Sequence, residues 1–196
     1  DDDDYYRGIF SVYELNNTNP VRIWLRRKQR KQEKLLQLLQ DPALQYSSGV
    51  DIGETTVEKR DPRDRMVDVL AFCFMPNHIH LLIKQIKDNG ITKFMMKFGS
   101  GYAGYFNRKY NRKGHVFQNR FLSVHVESDN QLKTVFNYIH VNPTSLVEPN
   151  FKELGVTDTN KVIEFITNYK WSSYKDYIGI KNFPSVVQRE FMNNVI

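Results

Sequence analysis

The stretch Phe-Met-Pro-Asn-His-Ile-His-Leu-Leu-Ile-Lys, residues 74–84, limits the fold more than any other part of the chain. It is an apolar run of strand length, broken by a Pro-Asn turn, and it carries two histidines two positions apart. Side chains alternate along a strand, so His78 and His80 share one face while Ile79, Leu81 and Ile83 share the other. The apolar face can close a core against helices. The histidine face needs another explanation. Two neutral imidazoles one pleat apart form a natural bidentate site for a divalent metal. The competing account is a pair of hydrogen-bonded structural histidines on a partly wetted face. Two ligands make a weak site, so a third has to come from elsewhere in the chain.

Around this stretch the pattern is readable in segments. Residues 66–75 read as a strand and Pro76-Asn77 as a tight turn, so 66–86 predicts a hairpin. "GIFSVYEL" (8–15) alternates and predicts an earlier strand, which "NNTNP" ends. The pattern from Val21 to Leu39 is helical, with Ile23, Trp24, Leu35, Leu36 and Leu39 on an apolar side. Arg22, Arg26, Arg27, Lys28, Arg30, Lys31 and Lys34 load the rest of that helix with positive charge. Residues 41–65 have no clear period and read as a loop insertion. Phe94, Met95, Phe98, Tyr102, Tyr105 and Lys109 recur at helical spacing, with Gly114 placed to end the helix. Residues 115–126 read as a further strand. The order strand, helix, strand, strand, helix, strand predicts an α+β fold with a ferredoxin-like βαββαβ antiparallel sheet. A helix from about Asp129 to Val141 is added to it, capped by Ser128 or Asp129 and ended by Pro143. The expected organisation is a catalytic domain over residues 1–147 and a helical or irregular C-terminal extension, 148–196, packed on that domain.

That added helix offers the missing ligand. Leu132, Val135, Phe136 and Ile139 form its apolar stripe. Gln131, Thr134, Tyr138 and Asn142 form a second stripe on another face. Tyr138 and Asn142 are four residues apart and stack on one side. If the helix crosses the histidine face, Asn142 completes a His-His-amide site beside Tyr138. A metal held there would polarise a phosphodiester and offset its developing charge. Tyr138 could then attack phosphorus, giving a covalent phosphotyrosine and a free 3′ hydroxyl. The link stores the strand energy, so rejoining needs no ATP. Taken alone, Tyr138 reads better as a half-buried anchor of the helix.

The charge pattern points to the same class of partner. The 196-residue chain holds 28 Lys plus Arg against 22 Asp plus Glu, and four of those acids are the leading run Asp1 to Asp4. A basic excess of this kind suggests a polyanion. From Asn89 to Val126 seven basic residues occur with no acid, and Tyr102, Tyr105, Phe106, Tyr110 and Phe117 are interleaved with them. Basic side chains track phosphates and aromatic faces stack on unpaired bases. The candidate DNA contacts are Lys97, Arg108, Lys109, Arg112, Lys113, Gln118 and Arg120. Cys73 is the lone cysteine, so no internal disulfide can form, a Cys-rich zinc site is excluded, and a reducing cytoplasm fits. No stretch reaches the ~18 to 20 apolar residues of a membrane span. No secretory signal is visible, and the lack of an initial Met leaves room for an upstream segment.

In this order, "MPNHIHLLI", "NRKGHVFQNRF" and "YIHVNP" resemble the REP-associated tyrosine transposases, part of the single-tyrosine His-hydrophobic-His (HUH) superfamily. The late "WSSY" (171–174) is similar to that family's C-terminal segment, and the resemblance covers roughly residues 5–180. It implies a ferredoxin-like fold acting on single-stranded or hairpin DNA with Mg²⁺ or Mn²⁺, in the bacterial cytoplasm at the nucleoid. It implies His78 and His80 as metal ligands and Tyr138 as the nucleophile that forms a 5′ phosphotyrosine. Asn142 stands where related transposases place Gln or Asn, and His140, near the helix end, is the rival third ligand. A monomer is implied, with a dimer as the alternative. The 41–65 segment and the tail after Val147 are longer than the family pattern. Two other functions stay open: a replication or mobilisation initiator using the same chemistry, and a non-cutting DNA-binding regulator on the same fold.

Overall fold

The computed structural model describes residues 1–39, 61 and 63–195. Its centre is an antiparallel hairpin, β1 (Val67–Phe74) and β2 (Ile79–Gln85). The hairpin closes at Pro76-Asn77, where the Met75 amide donates to the His78 carbonyl (2.8 Å). Val69 pairs with Ile83 and Ala71 with Leu82, so Leu70 is an extra residue on β1. Such a bulge shifts the alternation by one position. Val67, Val69, Phe72 and Phe74 therefore face one core, while Leu70, Ala71, Cys73 and Met75 face another. On β2, Ile79, Leu81 and Ile83 pack on the first core and Leu82 on the second.

Each core is closed by helices. Two helices, α1 (Asp2–Leu15) and α3 (Gly90–Lys109), cover the first through Ile9, Val12, Phe94 and Phe98. The second is covered by α4 (Asp129–Val141) through Leu132, Phe136 and Ile139. Ser128 caps α4, its hydroxyl accepting from the Gln131 amide (3.3 Å). A 3₁₀ turn (Asn142–Leu146) and the short α5 (Phe151–Leu154), α6 (Thr159–Asn168), α7 (Tyr174–Tyr177) and α8 (Arg189–Asn193) follow.

The C-terminal segment occupies the outer edge of β1. Phe74 donates its amide to the Trp171 carbonyl (2.9 Å), and Ser173 donates its amide to the Phe72 carbonyl (3.0 Å). The Phe72 amide donates to Ser173 Oγ (3.0 Å), and Val69 exchanges a pair of bonds with Gln188. The Tyr169 and Tyr177 hydroxyls donate to the carbonyls of Phe74 and Leu70. Trp171 stacks on Tyr5 of α1 (4.7 Å), tying this segment to the first helix.

The mixed helix-and-strand organisation agrees with the expected α+β class, but the four-stranded ferredoxin-like sheet is not found among the described residues. Residues 8–15 are helical, not a strand. Asp1 caps the helix by accepting the Asp4 amide (3.1 Å), and Asp2 to Asp4 sit in the first turn, where the helix dipole favours acids. Ile9, Val12 and Leu15 are buried at helical spacing. Residues 115–126 form no strand either. Phe117 packs on Phe98 and Tyr102, but Leu122 and Val124 are 96% and 82% exposed, so no continuous alternating face docks there. Helix α3 ends before Gly114, because Asn111 takes a left-handed conformation (φ 48°). The second helix, α2 (Ile23–Leu39), forms as expected, but while Ile23 is buried, Trp24, Leu35 and Leu36 are exposed, Trp24 by 65%. It is held to α1 instead by Arg30, which pairs with Glu14 (2.8 Å) and lies over the Tyr13 ring (4.7 Å). Of the expected 41–65 insertion, residues 41–60 and 62 lie outside the described residues. Arg63 is buried over Tyr13 and pairs with Asp61 (2.5 Å).

The helix–sheet approach is closest at Gly8, where an added Cβ would run into the Phe74 ring. That ring is buried between Phe72 and Phe98 and has little room to turn. Gly8→Ala gains ~1 kcal/mol of helix propensity and loses about 2–3 kcal/mol to overpacking. A net loss of about 1–2 kcal/mol is expected in urea unfolding. A more stable variant would show that α1 does not press on β1.

Candidate active site

The hairpin and α4 bring four side chains together. On β2, His80 points toward α4, and His78 lies at the turn just before it. The two Nε2 atoms are 3.0 Å apart. The amide oxygen Asn77 Oδ1 lies 2.7 Å from His78 Nδ1. That oxygen can only accept, so the proton sits on Nδ1 and the His78 Nε2 lone pair faces His80. This is how a neighbouring acceptor fixes the tautomer of a ligating histidine.

Helix α4 supplies the other two. The Tyr138 ring stands edge-on to the His80 ring (5.5 Å) and is 45% exposed. One turn later, the chain passes into the 3₁₀ segment, and Asn142 is buried with its Nδ2 donating to His78 Nε2 (3.4 Å). A half-turn of that amide would present Oδ1 at the same place. His140, the rival candidate, faces the other way. It is buried among Phe136, Tyr174 and Tyr177, and its Nε2 bonds Ser173 Oγ (2.7 Å). Burial pushes it down to about 4.

A fifth residue is one that sequence reasoning missed. Lys152, on α5, donates to the Tyr138 hydroxyl (3.1 Å) and lies over the Tyr138 ring (4.9 Å). Nothing in the spacing of residues 148–154 marks it, since it reaches Tyr138 only through the turn that folds α5 back along α4.

The electrostatics of the group are uniform. Burial first, then the charges of His78 and Lys152, lower the His80 pKa to about 4. Burial and Lys152 lower His78 as well. Both imidazoles are therefore neutral at pH 7, the form in which a histidine can bind a cation. Among the described residues no cluster of three His, Cys, Asp or Glu could hold a metal, so any ion here would rest on the two imidazoles and an amide. Nitrogen ligands about 2.1 Å from an ion, at right angles, sit about 3 Å apart. The observed 3.0 Å fits that spacing.

The expected DNA contacts divide into two groups. Arg108, Arg112, Lys113, Gln118 and Arg120 are exposed. Lys97 donates to the carbonyls of Asn17, Thr18 and Asn19 at the end of α1. Lys109 pairs with Asp1 (2.7 Å) and Asp4 (2.9 Å). These two cations already have partners inside the chain.

Residues 57–142 match the family model described as "Transposase IS200 like". The match supports an IS200-like transposase family. It covers less than half of the chain but contains His78, His80, Tyr138 and Asn142, while Lys152 and the segment along β1 lie beyond it. The match supports a transposase-like, DNA-processing function and a DNA partner. No curated protein and no solved structure matches the chain. Among the described residues no helix is long and apolar enough to cross a membrane.

The pKa shifts give a direct check on this arrangement. Folded-state pKa values below the free value of ~6.5 mean that the unfolded chain binds protons first as pH falls. The histidine pair should therefore reduce stability as pH drops from about 6.5 toward 4. In a proton NMR titration of the metal-free protein, His80 should titrate near 4. Lys152→Ala should raise both His78 and His80, without restoring the free value, since burial is the larger cause. Unshifted midpoints in that variant would place Lys152 away from the histidines.

Proposed function

We propose that this chain is a metal-dependent transposase of the REP-associated tyrosine type, which nicks and rejoins single-stranded or hairpin DNA. The observation that carries this reading is the convergence of His78, His80, Tyr138 and Asn142 from separate elements of the transposase-matched segment. All four come from one chain, which supports a monomer as the acting unit.

The Tyr138 hydroxyl is the nucleophile. Its oxygen gives up its proton to solvent and attacks phosphorus, the Oη–P bond forms and the P–O3′ bond breaks. The product is a 5′ phosphotyrosine and a 3′ oxygen that takes up a proton from solvent. In the reverse sense, a 3′ hydroxyl attacks the same phosphorus and releases Tyr138, so the strand is resealed without an external energy source. Lys152 donates to the tyrosine oxygen, which favours the phenolate as it forms, and its charge also faces the incoming phosphate. Its ammonium also lies over the Tyr138 ring, which stands edge-on to His80. His78 and His80, with the Asn142 amide oxygen, would hold the divalent ion. That ion would supply Lewis-acid polarisation of the phosphodiester. Imidazole donors suit Mn²⁺ better than Mg²⁺, which prefers an all-oxygen shell.

The deciding experiment is nicking of single-stranded hairpin DNA with and without Mn²⁺ or Mg²⁺. Tyr138→Phe removes only the hydroxyl, so DNA binding should survive while cleavage and the denaturation-resistant adduct both vanish. His78→Ala/His80→Ala should abolish metal-dependent cleavage with the fold retained. Tyr105 and Tyr110 donate to Asp4 on the other side of the hairpin, so Tyr105→Phe and Tyr110→Phe should keep the adduct. Peptide mapping that finds DNA on another tyrosine would overturn the nucleophile. Cleavage with no adduct would make water the nucleophile and the protein a metal nuclease. Lys152→Ala should slow cleavage by about 10²-fold, the usual cost of removing one donor from a developing oxyanion. An unchanged single-turnover rate would leave Lys152 with a structural role.

A further inference from the structure

Arg7 sits on the side of α1 remote from the histidine pair, and it is only 8% exposed. Its Nε has no hydrogen-bond partner, and among the described residues no carboxylate pairs with it. Its guanidinium carbon lies 5.0 Å over the Tyr105 ring of α3. Burial lowers the Arg7 pKa first, and the nearby charges of Arg27 and Arg108 lower it further. Arg7 thus reaches from α1 to α3, and Arg27 reaches from α2 to the Phe10 ring, one turn from Arg7 on α1.

Two details suit this place to a ligand. Ser11 stands one turn from Arg7 on the same side of α1, fully buried, and its Oγ also has no hydrogen-bond partner. Arg27 is steadied by Phe10 (5.5 Å), and Arg108 lies back along α3, with Nη1 3.4 Å from where a Cβ on Gly104 would stand. Neither Arg27 nor Arg108 has an acidic partner among the described residues. Buried donors are almost always satisfied, and a buried cation without a counter-charge is costly. A tetrahedral oxyanion is the kind of ligand that such donors recognise. It offers several acceptor oxygens, more than one negative charge, and a geometry that matches the arginine fork.

We propose that Arg7, Ser11, Arg27 and Arg108 form a binding site for a phosphate group. The site lies among α1, α2 and α3, across the hairpin from Tyr138. It rests on the arginine cluster and not on the strand-transfer reading. The phosphate belongs either to a DNA backbone held away from the cut or to a free phosphate ion.

Two measurements on the full chain test it. In the first, the melting temperature is followed against inorganic phosphate, with chloride at matched ionic strength as the control. Phosphate should stabilise the wild type in a saturable way that chloride does not reproduce. Arg27→Ala/Arg108→Ala, which alters exposed side chains only, should weaken the apparent phosphate affinity at least tenfold. Ser11→Ala should weaken it less. In the second, binding of a single-stranded oligonucleotide is followed against salt. If the phosphate is part of DNA, the double variant flattens the slope by about 0.7 per lost contact, and inorganic phosphate competes with the oligonucleotide. If it is a free ion, the double variant loses the phosphate response and leaves the slope unchanged. Either pattern supports the site. It is overturned if wild type responds to phosphate no more than to chloride and the double variant binds oligonucleotide as wild type does. Tyr138→Phe leaves both measurements unaltered, so this site and the nucleophile assignment can fail independently.

Discussion

β1 has no side open to water. Its two faces are closed by α1 and α3 on one hand and α4 on the other, and its two edges by β2 and the Trp171–Ser173 segment. The extra residue at Leu70 makes this arrangement workable. Without the shift it introduces, alternation would send half of an almost continuous apolar run into the wrong core. Burial of β1 in turn fixes where α4 lies against β2. The distance between Tyr138 and the histidines is therefore set by packing at Leu132, Phe136 and Ile139. The chemistry-bearing side chains contribute little to their own placement.

The polar arrangement follows from the same burial. Two imidazoles kept neutral by desolvation, beside a lysine and with no carboxylate cluster among the described residues, make a site that welcomes electron-rich oxygen. A carboxylate ligand would bind a cation more tightly but would also repel a phosphodiester. The amide of Asn142 avoids that conflict, since it offers an oxygen without a charge. His140 illustrates the contrasting case. It is also neutral and also buried, but its nitrogen is committed to Ser173, where it secures the C-terminal segment to α4.

Local periodicity carried much of this in advance, and long-range contact carried the rest. His78 and His80 were legible because a period of two over one hairpin needs no knowledge of the remaining chain. The stripe Leu132, Phe136, Ile139 and the placement of Tyr138 and Asn142 off it followed from a period of 3.6 over one helix. Residues 8–15 misled because a short window of alternating residues also fits a helix, and the four acids before it read as a charge run when they are a helix start. Leu122 and Val124 misled because apolar residues in sequence do not guarantee a partner surface. Lys97 and Lys109 look like free cations in sequence, and only the fold shows the carbonyls and carboxylates they meet. Lys152 had no local signature at all.

The occupied outer edge of β1 bears on how this chain tolerates being shortened. Phe72, Cys73 and Phe74 are a run of high strand propensity whose backbone groups are taken by Trp171 and Ser173. Cut before Tyr169, the chain would keep every residue of the proposed nicking centre, yet present an unpaired apolar ribbon to its neighbours. Such ribbons recruit further strands and lead to fibrous or amorphous precipitate. The C-terminal segment thus acts as a built-in solubility guard, and the family-matched portion alone would behave as a sticky fragment.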